Sequence, residues 1–401
     1  MDLSAEIKRL AKIYTDEIIK IRRHLHAHPE LSFKEYKTAE FVAQKLKSMG
    51  LSPQEGIAGT GMVVLIEGKN PHHKTVALRA DMDALPILEA NNVPYKSQNQ
   101  GVMHACGHDV HTASLLGSAM ILNQLRENFE GTLKLIFQPG EELLPGGASL
   151  MIKEGVLKPQ STTSAPKSII GQHVMPLLEV GKIGFREGLY MASTDELYVT
   201  VKGKGGHGAM PENCIDPVLI TSHIIVALQQ IISRNASPKM PSVLSFGKVI
   251  ANGATNVIPN EVHLEGTFRT YDEEWRKIAH QKIKKMAIGI AEAMGGSCDF
   301  DIQVGYPHLK NEPVLTKRLR QYSEEFVGKE NVVDLDLWLA AEDFAYYSQQ
   351  IDACFYRLGT RNESRGIISG VHTSTFDIDE DALEIGAGLM AWLAIKELNA
   401  S

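Results

Sequence analysis

Along the first half of the chain, short apolar runs alternate with stretches of helical period. Residues from about 4 to 49 place apolar side chains at helical spacing, with a break near His28-Pro29-Glu30, where proline lacks the amide hydrogen needed to continue a helix. Strands are expected at 61–66, 75–80, 132–137 and 168–173, with a helix over 112–125. Strands alternating with helices imply an α/β fold, a central, mostly parallel sheet with helices on both faces.

The pattern changes near Met191. A half-buried alternation over 195–201 predicts a strand, followed by a glycine-rich turn and a long helix over 217–233. Two strands fit 242–247 and 261–268, then a helix over 273–294 and a strand over 297–304. The order β-α-β-β-α-β is that of a ferredoxin-like α+β unit. It reads as an insertion, giving a first catalytic part at 1–188, an inserted lid or dimerisation domain at 189–304, and a return to the first domain at 305–401. A chain of 401 residues also exceeds what one hydrophobic core usually supports.

Composition narrows the function classes. The chain is 43% apolar and 22% charged, as ordinary globular proteins are. A net charge of -7 with no concentrated basic face argues against nucleic acid as a partner. No basic segment leads into a long apolar run at the start, and no stretch approaches the roughly 18 to 20 apolar residues of a membrane span. Neither a leader nor a membrane partner is expected. Cys106, Cys214, Cys298 and Cys354 are scattered, which fits a reducing cytoplasm better than a disulfide framework.

The chemistry concentrates in a few places. His104, Cys106, His108 and His111 put four possible metal ligands into eight residues. Thiolate and imidazole suit zinc and other late divalent ions, and an incomplete local set completed by distant ligands is typical of a catalytic site. Glu141-Glu142 follows a strand and a Pro-Gly turn, so one carboxylate can bind metal while the other handles a proton. Asp81 and Asp83 lie on one side of an extended segment, where a carboxylate could orient a metal-bound histidine. Asp81, Asp83, Glu141, Glu142 and His173 fall just after the expected strands, the rim where open α/β sheets bind ligands. His173 and His372 are single histidines, and spacing alone favours structural roles for both. The turn Gly203-Lys204-Gly205-Gly206-His207-Gly208 lacks the spacing of a phosphate loop. Asn256 and Arg269 are further polar positions, arginine being the natural clamp for a substrate carboxylate.

Taken together, Arg23-His24-Leu25-His26-Ala27-His28-Pro29-Glu30, Ala80-Asp81-Met82-Asp83-Ala84-Leu85-Pro86, Met103-His104-Ala105-Cys106-Gly107-His108-Asp109, Phe137-Gln138-Pro139-Gly140-Glu141-Glu142, Gly206-His207-Gly208-Ala209 and Thr267-Phe268-Arg269 resemble the aminoacylase/carboxypeptidase family of two-metal amidohydrolases. Within it the likeness is to the branch of hippurate hydrolases and indole-3-acetyl-amino-acid hydrolases. The resemblance implies that Cys106, His108, Glu142, His173 and His372 hold two divalent ions (zinc, manganese, nickel or cobalt), with Cys106 as the bridge. It implies Glu141 as general base, Asp83 as the residue orienting the site, and His207 as the group polarising the scissile carbonyl from a neighbouring subunit of a homodimer. Asn256 and Arg269 would bind the substrate carboxylate. Other branches carry His-x-Asp where this chain has Asp81-Met82-Asp83, which leaves the role of Asp81 open.

The expected activity is hydrolysis of an N-acyl amino acid to a carboxylic acid and a free amino acid. An exopeptidase acting on dipeptides is the nearest alternative. A metal-holding binding protein without catalysis, and a reactive thiol at Cys106, are the rivals from other classes.

Overall fold

The computed structural model describes residues 2–160 and 163–400. They form two compact units. One takes the chain up to Gly188, then Lys310–Asp336 and everything from Asp343; the other holds Leu189–Leu309 and Leu337–Glu342.

The first unit opens with helices α1 (Leu3–Ala27) and α2 (Tyr36–Ser48). The Asp2 side chain accepts the Ala5 N–H and caps α1, filling one of the donors a helix start leaves open. An eight-stranded sheet follows, with strands β1 (Gln54–Ile57), β2 (Gly61–Glu67), β3 (Thr75–Asp81), β4 (Thr132–Gln138), β5 (Pro166–Glu179) and β6 (Ile183–Phe185), completed by Val332–Asp334 and Asp352–Arg361. Its order is β1-β2-β4-β3-β5, then Asp352–Arg361, β6 and Val332–Asp334. The central ladders β4·β3, β3·β5 and β5·Asp352–Arg361 are parallel. Antiparallel pairs lie toward the edges, at β1·β2, β2·β4 and between Asp352–Arg361 and β6. Strands β3 and β4 are buried at every position, which is why they read as continuous apolar runs rather than alternations. Helix α3 (His108–Gln124) and the helix Asp381–Leu398 are buried along most of their length and pack on each other and on α1. Helix α4 (Gly147–Lys153) follows β4. The α/β class expected from the sequence is the fold observed.

Two local differences matter for the site. Helix α3 starts at His108, four residues before the expected start at 112, so His108 and His111 are helical. Strand β5 runs to Glu179, so His173 is not at a strand end; Arg357 of the neighbouring strand pairs with it. That partner strand comes from the return segment, where no strand was expected.

The second unit is a four-stranded antiparallel sheet in the order Ser242–Ile250, Glu261–Thr270, Asp195–Lys202, Ser297–Val304. Numbered along the unit this is 2-3-1-4, the ferredoxin-like arrangement. Helices α5 (Pro217–Gln230) and α6 (Glu273–Ala293) cover one face, and Ile220, Ile224, Leu228 and Ile283 join Leu197, Val199 and Leu264 in its core. Asp216 and Asp272 cap these helices through backbone N–H groups. The segment Pro217–Asn235 is long and apolar enough by length and composition alone to cross a membrane, where the sequence led us to expect no such stretch. One of its faces is core; Val218, Leu219 and Val226 on it remain exposed.

Candidate metal centre

The rim above β3 and β4 gathers the chemistry of the first unit. Asp81 ends β3 and Asp83 follows two residues on. Strand β4, parallel to β3, ends at Gln138 and leads through Pro139-Gly140 to Glu141 and Glu142. Cys106 lies two residues before the start of α3. Gly107 joins it to His108 with φ of 83°, and a Cβ there would lie 2.5 Å from Val174 Cγ2. Only glycine combines that left-handed conformation with that close approach.

Two of the triads these side chains form overlap at Cys106. The ligand atoms of Cys106, His108 and His173 lie within 4.8 Å of one another, and so do those of Cys106, Glu142 and His372. Two ions held by these triads would share the Cys106 thiol. Cys106 Sγ is 3.4 Å from His173 Nε2, and His372 Nε2 is 3.3 Å from Glu142 Oε1. His372 has φ of 61°, a region costly for a residue with a Cβ. Its N–H donates to the Ala105 carbonyl at 2.7 Å, which holds it beside Cys106.

Hydrogen bonds set which ring nitrogen faces the centre. His108 Nδ1 bonds Asp83 Oδ1 at 3.1 Å, and His173 Nδ1 donates to the Val174 carbonyl at 2.8 Å. Each leaves Nε2 as the lone pair, the usual outer-partner arrangement around a metal. Asp83 is itself held by Ser32 Oγ at 2.6 Å and the Glu142 N–H at 2.9 Å. His108 Nε2 is buried without a hydrogen-bond partner. Leaving such an atom unpaired costs about 1–3 kcal/mol, and a divalent cation would satisfy it. Thiolate, imidazole and carboxylate together fit zinc, manganese, nickel or cobalt.

The local field is negative. Burial, followed by Glu142, Glu141 and Asp81, drives the Cys106 thiol well above its ordinary range. At His108 burial acts downward, but Asp81, Asp83 and Glu142 outweigh it and raise the imidazole to about 10. Such a cluster of buried anionic groups favours a cation. Glu141 is buried beside it, with Oε2 3.9 Å from His108 Nε2 and Oε1 accepting the Asp343 N–H at 3.3 Å.

The other histidines of the cluster have different surroundings. His111 Nδ1 donates to Asp81 Oδ1 at 2.6 Å and its Nε2 accepts the Val174 N–H at 2.9 Å, so neither nitrogen is available. His104 is buried, which depresses it to about 4 and keeps it neutral. Asp81, whose role the sequence left open, has one oxygen on His111 Nδ1 and the other on Arg79 Nη1, each at 2.6 Å. It supports the centre without facing it as a free ligand. Sequence reasoning missed Arg79, Gln138 and Asp343; the one available signal was an arginine inside the apolar run at 75–80.

His207, Asn256 and Arg269 all belong to the second unit. His207 is exposed on a two-residue ladder with Val257, and the Asn256 carbonyl accepts the Gly208 N–H at 2.8 Å, so these two are neighbours. The Ala209 N–H donates to His207 Nδ1 at 3.1 Å, which leaves Nε2–H pointing away as a donor. Arg269 is half-buried, its Nε on Thr267 Oγ1 at 3.1 Å.

The chain is similar to known proteins along most of its length. An N-acyl-L-amino acid amidohydrolase of Geobacillus stearothermophilus is 46% identical over 306 residues, 76% of this chain and 81% of its own. Thermostable carboxypeptidase 2 of Saccharolobus solfataricus is 39% identical over the full length of both chains. The Bacillus subtilis YxeP protein, a dinuclear metal binding peptidase from the M20 family, superposes with a TM-score of 0.83 at 34% identity, covering 97% of this chain and 100% of that one. Residues 77–396 match the peptidase family M20/M25/M40, and the chain belongs to that family.

Proposed function

We propose that the protein hydrolyses the amide bond of N-acyl amino acids, using two divalent ions held by Cys106, His108, Glu142, His173 and His372. The observation that carries this reading is the pair of ligand triads sharing Cys106, with Glu141 buried at their edge. When bound, the ions supply Lewis acidity toward water and the amide carbonyl. Glu141 takes the proton of the attacking water and passes it to the leaving nitrogen, as a carboxylate in hydrogen-bond reach of both can do. Asp83 holds His108 in the tautomer that presents Nε2. His207, with Nε2–H as a donor, stabilises the developing oxyanion, and Asn256 and Arg269 hold the substrate carboxylate. The relative named as an N-acyl-L-amino acid amidohydrolase supports this substrate class.

In this reading His207 serves the centre of a second subunit, and the protein is a homodimer joined through its inserted domain. Exposed Val226, Leu219 and Val218 on α5, with Val249 and Ile250 on the edge strand Ser242–Ile250, supply an apolar face and an open edge of the kind that pairs with a second copy. The four cysteines are free, which supports a cytoplasmic location. The relative named as a carboxypeptidase favours dipeptides as a second substrate class with the same bond chemistry.

The test is a panel of acetyl, benzoyl and indole-3-acetyl amino acids against dipeptides, with zinc, manganese, nickel or cobalt added. Glu141→Gln should lose about 100- to 10,000-fold in kcat while keeping its metal content. Near-parental turnover in that variant, or no turnover by the parent across the panel, overturns the reading.

A further inference from the structure

Arg79 is buried on β3, and its guanidinium spreads over three partners. Nε donates to Gln138 Oε1 at 2.9 Å, Nη1 to Asp81 Oδ2 at 2.6 Å and Nη2 to Asp343 Oδ1 at 2.7 Å. Two paths leave it, and both return to the metal centre. Along the first, Asp81 accepts from His111, His111 accepts the Val174 N–H, and the Val174 carbonyl accepts from the ring of His173. Along the second, the Asp343 carboxylate also takes Gln138 Nε2 and the Ala148 N–H, while the Asp343 N–H reaches Glu141 Oε1.

We propose that Arg79 is the positioning residue of the centre, setting His173 through Asp81 and His111 and setting Glu141 through Asp343. It also withholds Asp81 from the ions. Asp81 Oδ2 is only 3.7 Å from His108 Nε2, close enough to become a sixth ligand residue if released. Arg79 and His111 occupy both of its oxygens. Lysine could not substitute, because a single ammonium lacks the planar fork that reaches three partners at fixed angles. Buried ionic networks of this kind contribute little to stability relative to apolar packing, so the arrangement is better explained by geometry at the site. The inference rests on the roles assigned above to His173 and Glu141.

The test reads metal binding without substrate. Cobalt-loaded parent, Arg79→Lys, His111→Phe and His111→Gln are compared by competition titration and visible absorption, with kcat and KM alongside. Arg79→Lys and His111→Phe should bind cobalt about 10- to 100-fold more weakly. Their ligand-field bands should shift and weaken as Asp81 joins the coordination, with kcat falling more than KM rises. His111→Gln retains a donor and an acceptor and should recover part of the parental spectrum. Parental affinity and spectrum in both damaging variants overturn the proposal. Should Arg79→Lys fail to fold, the two His111 variants decide by the same criteria with Arg79 in place. A parent that loads cobalt but hydrolyses no amide would retire the proposed function and leave the spectroscopic result standing.

Discussion

His108 and His111 sit three residues apart on one helix, and their second ring nitrogens separate their roles. Asp83 takes Nδ1 of His108 and leaves Nε2 facing Cys106 and Glu142, while His111 spends both nitrogens on Asp81 and Val174. Gly107 makes the difference possible by turning the chain sharply enough to place Cys106 and His108 together. Gly107→Ala should therefore cost about 3 kcal/mol, from a left-handed residue with a Cβ plus a clash with Val174, and weaken metal binding as well. Thermal unfolding of metal-free and metal-loaded protein checks both; an alanine variant matching the parent in both would refute the placement. The cluster around Cys106 and His108 was legible in the sequence because four possible ligands crowd eight residues, and the resemblance then chose these two among the four. His173 and His372 were not, since each is a lone histidine whose meaning comes from neighbours 67 or more positions away. Only resemblance assigned them. Arg79 was hidden because a pattern of buried positions shows where a side chain goes and not which partners meet it there.

Elements were legible in proportion to their periodicity. Strands β2, β3 and β4 and the whole β-α-β-β-α-β unit follow their apolar patterns closely, whereas the exposed β1 was not expected. The return segment did not, because its helix Asp381–Leu398 and strand Asp352–Arg361 are buried on nearly every side and carry no alternation to read. Polar contacts at element ends were equally silent. Glu273, in the first turn of α6, bonds His308 Nδ1 at 3.1 Å and Arg276 Nη1 at 3.0 Å. Burial acts upward on its carboxyl, but His308 and Arg276 prevail and bring it to about 2 from 4.5. A carboxyl depressed in the folded state stabilises above its unfolded value and loses that contribution as pH falls through the folded one. Glu273→Gln should thus cost about 2 kcal/mol at neutral pH, after discount for partial exposure. The gap between variant and parent should close between pH 4.5 and about 2. Paired unfolding transitions across that range measure it, and a pH-independent gap would remove the electrostatic explanation.

At the scale of the whole molecule, the first unit holds the proposed ligands and the proposed general base, whereas the donor proposed for the oxyanion stands in the second unit. An exposed His207 whose Nδ1 is already occupied by the Ala209 N–H is a donor prepared for a partner outside its own loop. If that partner is bound at the centre of another subunit, two inactive chains can repair each other. A heterodimer of Glu141→Gln and His207→Ala contains one centre with both Glu141 and a functional His207 facing it. Random pairing in a twofold dimer should then restore about one quarter of parental activity, although each variant alone is nearly inactive. Co-expression with separately tagged chains allows the heterodimer to be purified and assayed directly. A heterodimer as inactive as its parents would place His207 on its own subunit's centre, and sedimentation as a monomer would exclude the shared site altogether. Val226→Lys, on the exposed face of α5, should abolish the restored activity by separating the chains while leaving the metal content of each unchanged.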